Sequence, residues 1–151
     1  MTVFARCFRS LALVAGLALG STAVQAESVD FGDYQVHYSV FPSTFLTPEV
    51  AAQNQLTRSR AVGILNISIL RENDLGGLAP VSGQVEGRVL NDIQQPRFLA
   101  FRRIQEGEAV YFISEFQYRS GELLTFHVTA RPTGVSEDLP IRFAHTLYNE
   151  E

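Results

Sequence analysis

The sequence predicts an all-β fold: an immunoglobulin-like antiparallel β-sandwich of about seven strands with one short helical crossover. Three observations lead there. Seven runs read as strands, and all but one of them alternate apolar with polar residues at a period of two. Those runs are rich in Val, Ile, Phe and Tyr, residues that fill a pleated, half-buried surface. They also follow one another at short spacing, with turn residues between them.

The elements follow in chain order. Residues 34–41, YQVHYSVF, set Tyr34, Val36, Tyr38 and Val40 against Gln35, His37 and Ser39. Residues 47–55 break the alternation and read as one or two helical turns. Thr47 can cap, Pro48 suits the first helical position, Glu49 complements the positive helix end, and Ala51 and Ala52 favour helix. The run 62–70 places Leu65, Ile67 and Ile69 opposite Asn66 and Ser68, and 84–90 alternates Val85, Gly87 and Val89 with Glu86 and Arg88. The run 97–104 is apolar on both parities from Phe98 to Phe101. Runs 109–118, 123–131 and 140–148 complete the set. Glu106-Gly107 and Ser120-Gly121 read as hairpin turns, because Gly accepts positive φ at little cost. Residues 132–138 form a longer loop, and 72–83 read as a flexible connection that carries the chain across the sandwich.

The first 26 residues have a different logic. A short positive segment with Arg6 and Arg9 precedes ten apolar residues, LALVAGLALG, and then STAVQA with small residues at Val24 and Ala26. That order predicts a secretory signal peptide over 1–26, cleaved after Ala26, and a single sandwich domain over 27–151. Ten apolar residues are half of the roughly 20 that a membrane span needs, so no span is expected after signal removal. The expected localisation is periplasmic. Beyond residue 26 the chain contains no Cys, Met, Lys or Trp, and a thiol-free chain suits an oxidising compartment. The formal charge is −4 for the whole chain. It becomes −6 for residues 27–151, where 10 Arg meet 16 acids, which argues against a nucleic-acid partner.

Catalytic and cofactor motifs are sparse. There is no phosphate-cradling Gly-rich loop and no G-x-S-x-G elbow, so no cofactor or catalytic residue is assigned. His37, His127 and His145 are the available nitrogen ligands and show no H-x-H or H-E-x-x-H spacing. They read either as a three-strand metal site completed by Glu115 or as unrelated strand histidines. His145 shares its parity with Ile141, Phe143 and Leu147, which points inward and implies a hydrogen-bonded core histidine or a β-bulge. Glu115 lies mid-strand and reads as a cross-strand partner for an Arg. Arg58 with Arg60, and Arg102 with Arg103, read as internally paired with acids.

The run 109–118 also carries the one located functional expectation. Val110, Phe112, Phe116 and Tyr118 suffice for a core face, yet the other parity presents Tyr111 and Ile113. Leu90 and Tyr148 are apolar on outward positions of their own strands. Together these four would form an interaction surface for a protein partner. The alternative is that the helical segment or the 72–83 loop folds over that face. The function read from all this is a protein- or ligand-binding module without catalysis. The rivals are a periplasmic metal-binding protein and a small enzyme with a spatially assembled site.

The stretches YQVHYSVFPSTFLTPEVA, RSRAVGILNISIL and EGEAVYFISEF resemble a family of small exported bacterial proteins catalogued as a domain of unknown function. The run Ser43 to Glu49, STFLTPE, is the most specific part of the resemblance, which covers most of the chain beyond the leader. It implies a periplasmic protein and transfers no catalytic residue.

Overall fold

A strand with one apolar face must bury that face against another layer, and here two antiparallel sheets bury each other's. The computed structural model describes residues 26–149, so the expected leader lies outside the described residues except for Ala26. The strands are β1 (Glu27–Phe31), β2 (Tyr34–Pro42), β3 (Val62–Glu72), β4 (Leu78–Pro80) and β5 (Gly83–Leu90). They continue as β6 (Pro96–Leu99), β7 (Arg102–Glu106), β8 (Ala109–Gln117), β9 (Leu123–Pro132) and β10 (Leu139–Thr146). The larger sheet runs β1-β2-β3-β8-β7 with β4 beside β3, and the smaller sheet runs β10-β9-β5-β6.

The main core lies between the sheets. Val36, Leu65, Ile67, Phe112 and Phe116 from the larger sheet meet Val89, Phe126, Val128 and Ile141 from the smaller one. The expected inward parity of Phe112 and Phe116 is therefore observed. Phe116 meets Phe126 edge-on at 5.1 Å between ring centroids. Gly63 is opposite Phe116 in register, and a Cβ at position 63 would lie 2.4 Å from the Phe116 ring. The missing side chain is what lets that ring lie across the neighbouring strand.

Ten strands replace the expected seven, and the differences have physical causes. β1 and β4 are short, three to five residues, and give little alternation to read. The run 97–104 is two strands, β6 in the smaller sheet and β7 in the larger, with the chain crossing at Ala100 and Phe101. A segment that leaves one sheet for the other turns successive residues to the same core. Leu99 is buried in that core and Phe101 packs against it, which explains the apolar residues on both parities. Glu106-Gly107 is a hairpin, with Gly107 at φ 58°. Ser120-Gly121 is not, because β8 and β9 belong to different sheets and the turn carries the chain between them. In the 72–83 connection, Asn73 Oδ1 accepts from the N–H groups of Leu75 and Gly77 to close a turn into β4, and the crossing follows β4.

The helical expectation holds. Helix α1 (Pro48–Gln53) has Thr47 as its N-cap, Oγ1 accepting from the Val50 N–H at 3.2 Å, and a 3-10 turn (Ser43–Phe45) precedes it. Ser43 Oγ ties the two ends of this crossover, donating to the Ser59 carbonyl and accepting from the Ser59 N–H, both at 2.9 Å. No helix among the described residues is long and apolar enough to cross a membrane.

Candidate functional site

The four residues expected to form one interaction surface do not come together. Tyr111 and Ile113 are 2% exposed, in a second apolar cluster with Phe41, Leu46, Ala51, Leu56 and Ile64. The helical crossover lies over this outer face of the larger sheet and makes it core, so the pair offers no exposed surface. Arg58 Nε donates to the Leu46 carbonyl at 2.8 Å, and Arg102 Nη2 donates to the Gln55 carbonyl at 3.1 Å. Glu115 Oε1 accepts from the Thr57 N–H. These contacts clamp the crossover down. They also correct the expected pairing of Glu115, Arg58 and Arg102 with opposite charges. Among the described residues, one ion pair occurs, Arg131 with Asp138 at 2.6 Å. Leu90 is half-buried on the outer face of the smaller sheet, and Tyr148 stands 67% exposed just beyond β10.

The three histidines do not converge either. His37 is on the outer face of the larger sheet, its Nε2 2.9 Å from Gln35 Oε1. His127 is on the outer face of the smaller sheet, between Arg88 and Arg142 in register. His145 has the inward parity of β10, but at the open end of the sandwich, so it is exposed. It is neither a core histidine nor displaced by a bulge, since its register with Leu124 is regular. Among the described residues, no group of three His, Cys, Asp or Glu is placed to hold a metal ion.

His145 instead opens onto a cleft of about 440 Å³, lined among others by Glu27, Tyr38, Phe45, Phe143 and Tyr148. The topology creates it. β1 starts at Glu27, opposite Tyr38, so residues 39–42 of β2 have β3 on one side and no described strand on the other. That short edge faces β10. Tyr38 points inward and its ring stacks on Phe143 at 4.0 Å between centroids, while Phe143 stacks on Phe126 at 4.9 Å. The phenol needs a partner at its polar tip. Tyr38 Oη donates to Glu27 Oε2 at 2.7 Å.

Electrostatics follow from this geometry. Burial, then the hydrogen bond to Glu27 and its negative charge, push Tyr38 up to about 12, so it remains a donor at any physiological pH. Partial desolvation of its ring where it borders the cleft lowers His145 below the usual imidazole value, against the opposing pull of the Glu27 carboxylate. A neutral imidazole has one donor and one acceptor nitrogen. The cleft thus offers an oriented carboxylate, a neutral imidazole and aromatic faces, a set suited to a cationic or hydrogen-bond-donating head group on an apolar body. A second cavity, about 330 Å³, includes Arg103 and Arg131 in its lining. Both are already engaged, Arg103 with Ser82 and Gln105 and Arg131 with Asp138. Sequence reasoning missed Glu27 and Tyr38 as a pair. The available signals were the phenol of Tyr38 on an otherwise apolar parity and the inward parity of His145.

The chain belongs to the family described as Domain of unknown function (DUF4426), whose model matches residues 28–150. It is similar to a DUF4426 family protein of known crystal structure from Pseudomonas aeruginosa PAO1, at 30% identity and a TM-score of 0.72, over 83% of this chain and 97% of that one. It also resembles a copper-bound variant of FetP from uropathogenic Escherichia coli strain F11, at 9% identity and a TM-score of 0.59, over 83% of this chain and 97% of that one. FetP of the same strain, recombinantly expressed in the E. coli periplasm, matches at 12% identity and a TM-score of 0.58, over 84% and 98% of the two chains. At such identities the FetP likeness is one of fold. Among curated proteins none matches the chain.

Proposed function

We propose that this DUF4426 protein is a periplasmic binding module whose cleft receives a small ligand with a cationic head and an apolar body. One observation carries the reading: the Glu27 carboxylate is held in place by Tyr38 at the mouth of an aromatic-walled cleft, and it has no cationic side chain paired with it among the described residues. A fixed carboxylate beside aromatic faces attracts a cation by charge and by the ring quadrupoles together. Export is supported by the order of charged, apolar and small residues in 1–26, by β1 starting at Glu27, and by the family match starting at residue 28. The domain would then run over 27–151.

Metal binding is a second reading of the same cleft, prompted by the copper-bound FetP variant. The residues fit it poorly. Glu27 and His145 are two donors, a closed site takes four, and residues 27–151 hold no Cys or Met to supply a soft ligand.

Both readings face one experiment: titration of the exported protein with phenethylammonium, with its neutral analogue 2-phenylethanol and with Cu(II), followed by NMR shifts of the Tyr38 and His145 rings. The proposal expects the ammonium to bind and the alcohol not to, with Glu27→Gln weakening the ammonium at least tenfold. Equal binding of alcohol and ammonium, no binding of either, or tight 1:1 binding of Cu(II) alone would overturn it.

A further inference from the structure

One wall of the cleft is a strand edge, and one residue of that edge keeps its backbone polar groups unpaired. The Glu72 N–H donates to the Asp33 carbonyl at 2.7 Å, just before the register of β2 on β3 begins at Tyr34. In an antiparallel pair, the residues that bond to a given neighbour alternate along the strand. That register is regular as far as Pro42. Gln35, His37, Ser39 and Phe41 therefore turn their N–H and C=O groups to β3, as Asp33 does, and Val36, Tyr38 and Val40 turn theirs the other way. On that other side β1 serves Val36 and Tyr38 and ends at Glu27. The N–H and C=O of Val40 are left facing the cleft, and neither has a partner among the described residues.

Val40 is only 8% exposed, and a buried residue seldom leaves both of its backbone groups unmatched. An unpaired strand edge is a template for another chain. This one is short: residues 39–42 span roughly 13 Å at about 3.3 Å per residue. It is also sheltered, because Phe143, Ala144 and His145 of β10, the end strand of the smaller sheet, stand across the cleft from it. A single extended chain fits such a groove, where the edge of a second folded sheet would be held off by β10.

We propose that the cleft takes an extended peptide segment carrying a Lys or Arg, added as a short antiparallel strand on the edge of β2. The proposal rests on the cation-binding reading of the cleft and gives the ligand's class: the cationic head is a basic side chain, and the body is a peptide. The peptide residue opposite Val40 exchanges two hydrogen bonds with it, in line with β1. Cross-strand partners point to one side, so its side chain shares the inward side of Val40, Tyr38 and Glu27. It stands two strand positions beyond Glu27, roughly 7 Å away, a distance that the stem of a Lys or Arg spans. Its head group then meets the carboxylate that Tyr38 holds. The peptide's flanking residues point outward, to the side of Phe41 and Phe45, which favour apolar side chains. The same carboxylate repels acidic segments, so charge selects among chains that the backbone alone would accept.

Calorimetric titration and amide hydrogen exchange of the exported protein test this, with acetyl-Val-Lys-Val-amide as the probe. In the free protein the Val40 amide should exchange faster than the Val36 amide, which β1 already pairs. The peptide should bind at least tenfold more tightly than phenethylammonium and slow exchange at Val40 at least tenfold, with Val36 unchanged. Methylating the Lys backbone nitrogen removes the donor to the Val40 carbonyl and should weaken binding at least tenfold. Replacing the Lys by norleucine should weaken it at least as much. Both changes are made in the peptide, so the fold of the protein is untouched. The proposal is overturned if the Val40 amide is already protected in the free protein or gains no protection on binding. It is equally overturned if either altered peptide binds like the parent. Phenethylammonium separates the two claims on the cleft. If it binds and the peptide gains nothing from its backbone, strand addition fails and the affinity for cations stands; if neither binds, both fail.

Discussion

The outer faces of the two sheets start from similar sequence patterns and end in opposite environments. On the larger sheet, Phe41, Ile64, Tyr111 and Ile113 project away from the main core and are still almost fully buried, because the 3-10 turn, α1 and the segment to Leu56 cover them. On the smaller sheet, Leu90, Phe98 and Leu123 project outward in the same way; Leu90 is half-buried, while no described element covers Phe98, which is 93% exposed, or Leu123. The difference teaches that outward apolar residues mark a face that needs a cover without saying what the cover is. One face is covered by the protein's own crossover, held by Thr47, Ser43, Arg58, Arg102 and Glu115. The other leaves Phe98 and Leu123 exposed, with Arg88 and Arg142 in no ion pair among the described residues.

The sharpest way to break this comparison is to make the same kind of change on both faces. Tyr111→Ser with Ile113→Ser on the covered face should destabilise the protein by about 4 kcal/mol or more, since two buried side chains are replaced by small polar ones. Phe98→Ser on the bare face should change stability by less than about 0.5 kcal/mol. Urea unfolding of both variants, each read as the shift in midpoint at constant slope, checks the pair. Similar costs on the two faces would show that the contrast is wrong.

A smaller effect tests the cover itself. Thr47→Ala removes the hydroxyl that accepts from the Val50 N–H and should lower stability by about 1 kcal/mol. Hydrogen exchange should then quicken first in α1 and at residues 109–113 beneath it, and leave β9 and β5 at their parent rates. Uniform quickening across both sheets would mean that the crossover does not open as a separate unit.

The smallest expected effect is on pH dependence, and it reads both faces at once. Burial lowers His37 below the ordinary imidazole value near 6.5, against the pull of Asp30. His127 is lowered by burial and by the positive charges of Arg88 and Arg142. An imidazole with a lower pKa folded than unfolded binds its proton more readily in the unfolded chain. Stability is therefore complete above about pH 6.5 and declines as the pH falls below it towards the folded values. The urea midpoint should drop between pH 7.5 and pH 5, and His127→Gln should reduce that drop. If Arg88→Gln reduces it too, the arginine row is confirmed as one cause.

Much of the fold was legible because it is local. Alternation along 34–41, 62–70 and 109–118 named the strands and their inward residues, including Phe112 and Phe116, and the Thr47-Pro48-Glu49 run named the helix start. Where local signals served two structures, the sequence was ambiguous. Ser120-Gly121 turns the chain just as well between sheets as within one, and the apolar pairs of 97–104 belong to a crossing rather than a single strand. The site was the least legible, since Glu27 meets Tyr38 only through the register of β1 on β2, and His145 joins them only because β10 closes the sandwich end opposite.

By itself, then, the sequence determined the strands β2, β3, β5, β8, β9 and β10, the parity that fills their core, and where the helix is capped. Those properties depend on steric and hydrophobic periodicity within a few residues of the chain. Only the tertiary structure decided which sheet each strand joins, that the crossover lies over Tyr111 and Ile113, and that Arg88, His127 and Arg142 share an uncovered row. A period of two fixes the side of a strand to which a residue points. What stands on that side is set by pairings between residues far apart in sequence, whose register and layering no local pattern encodes.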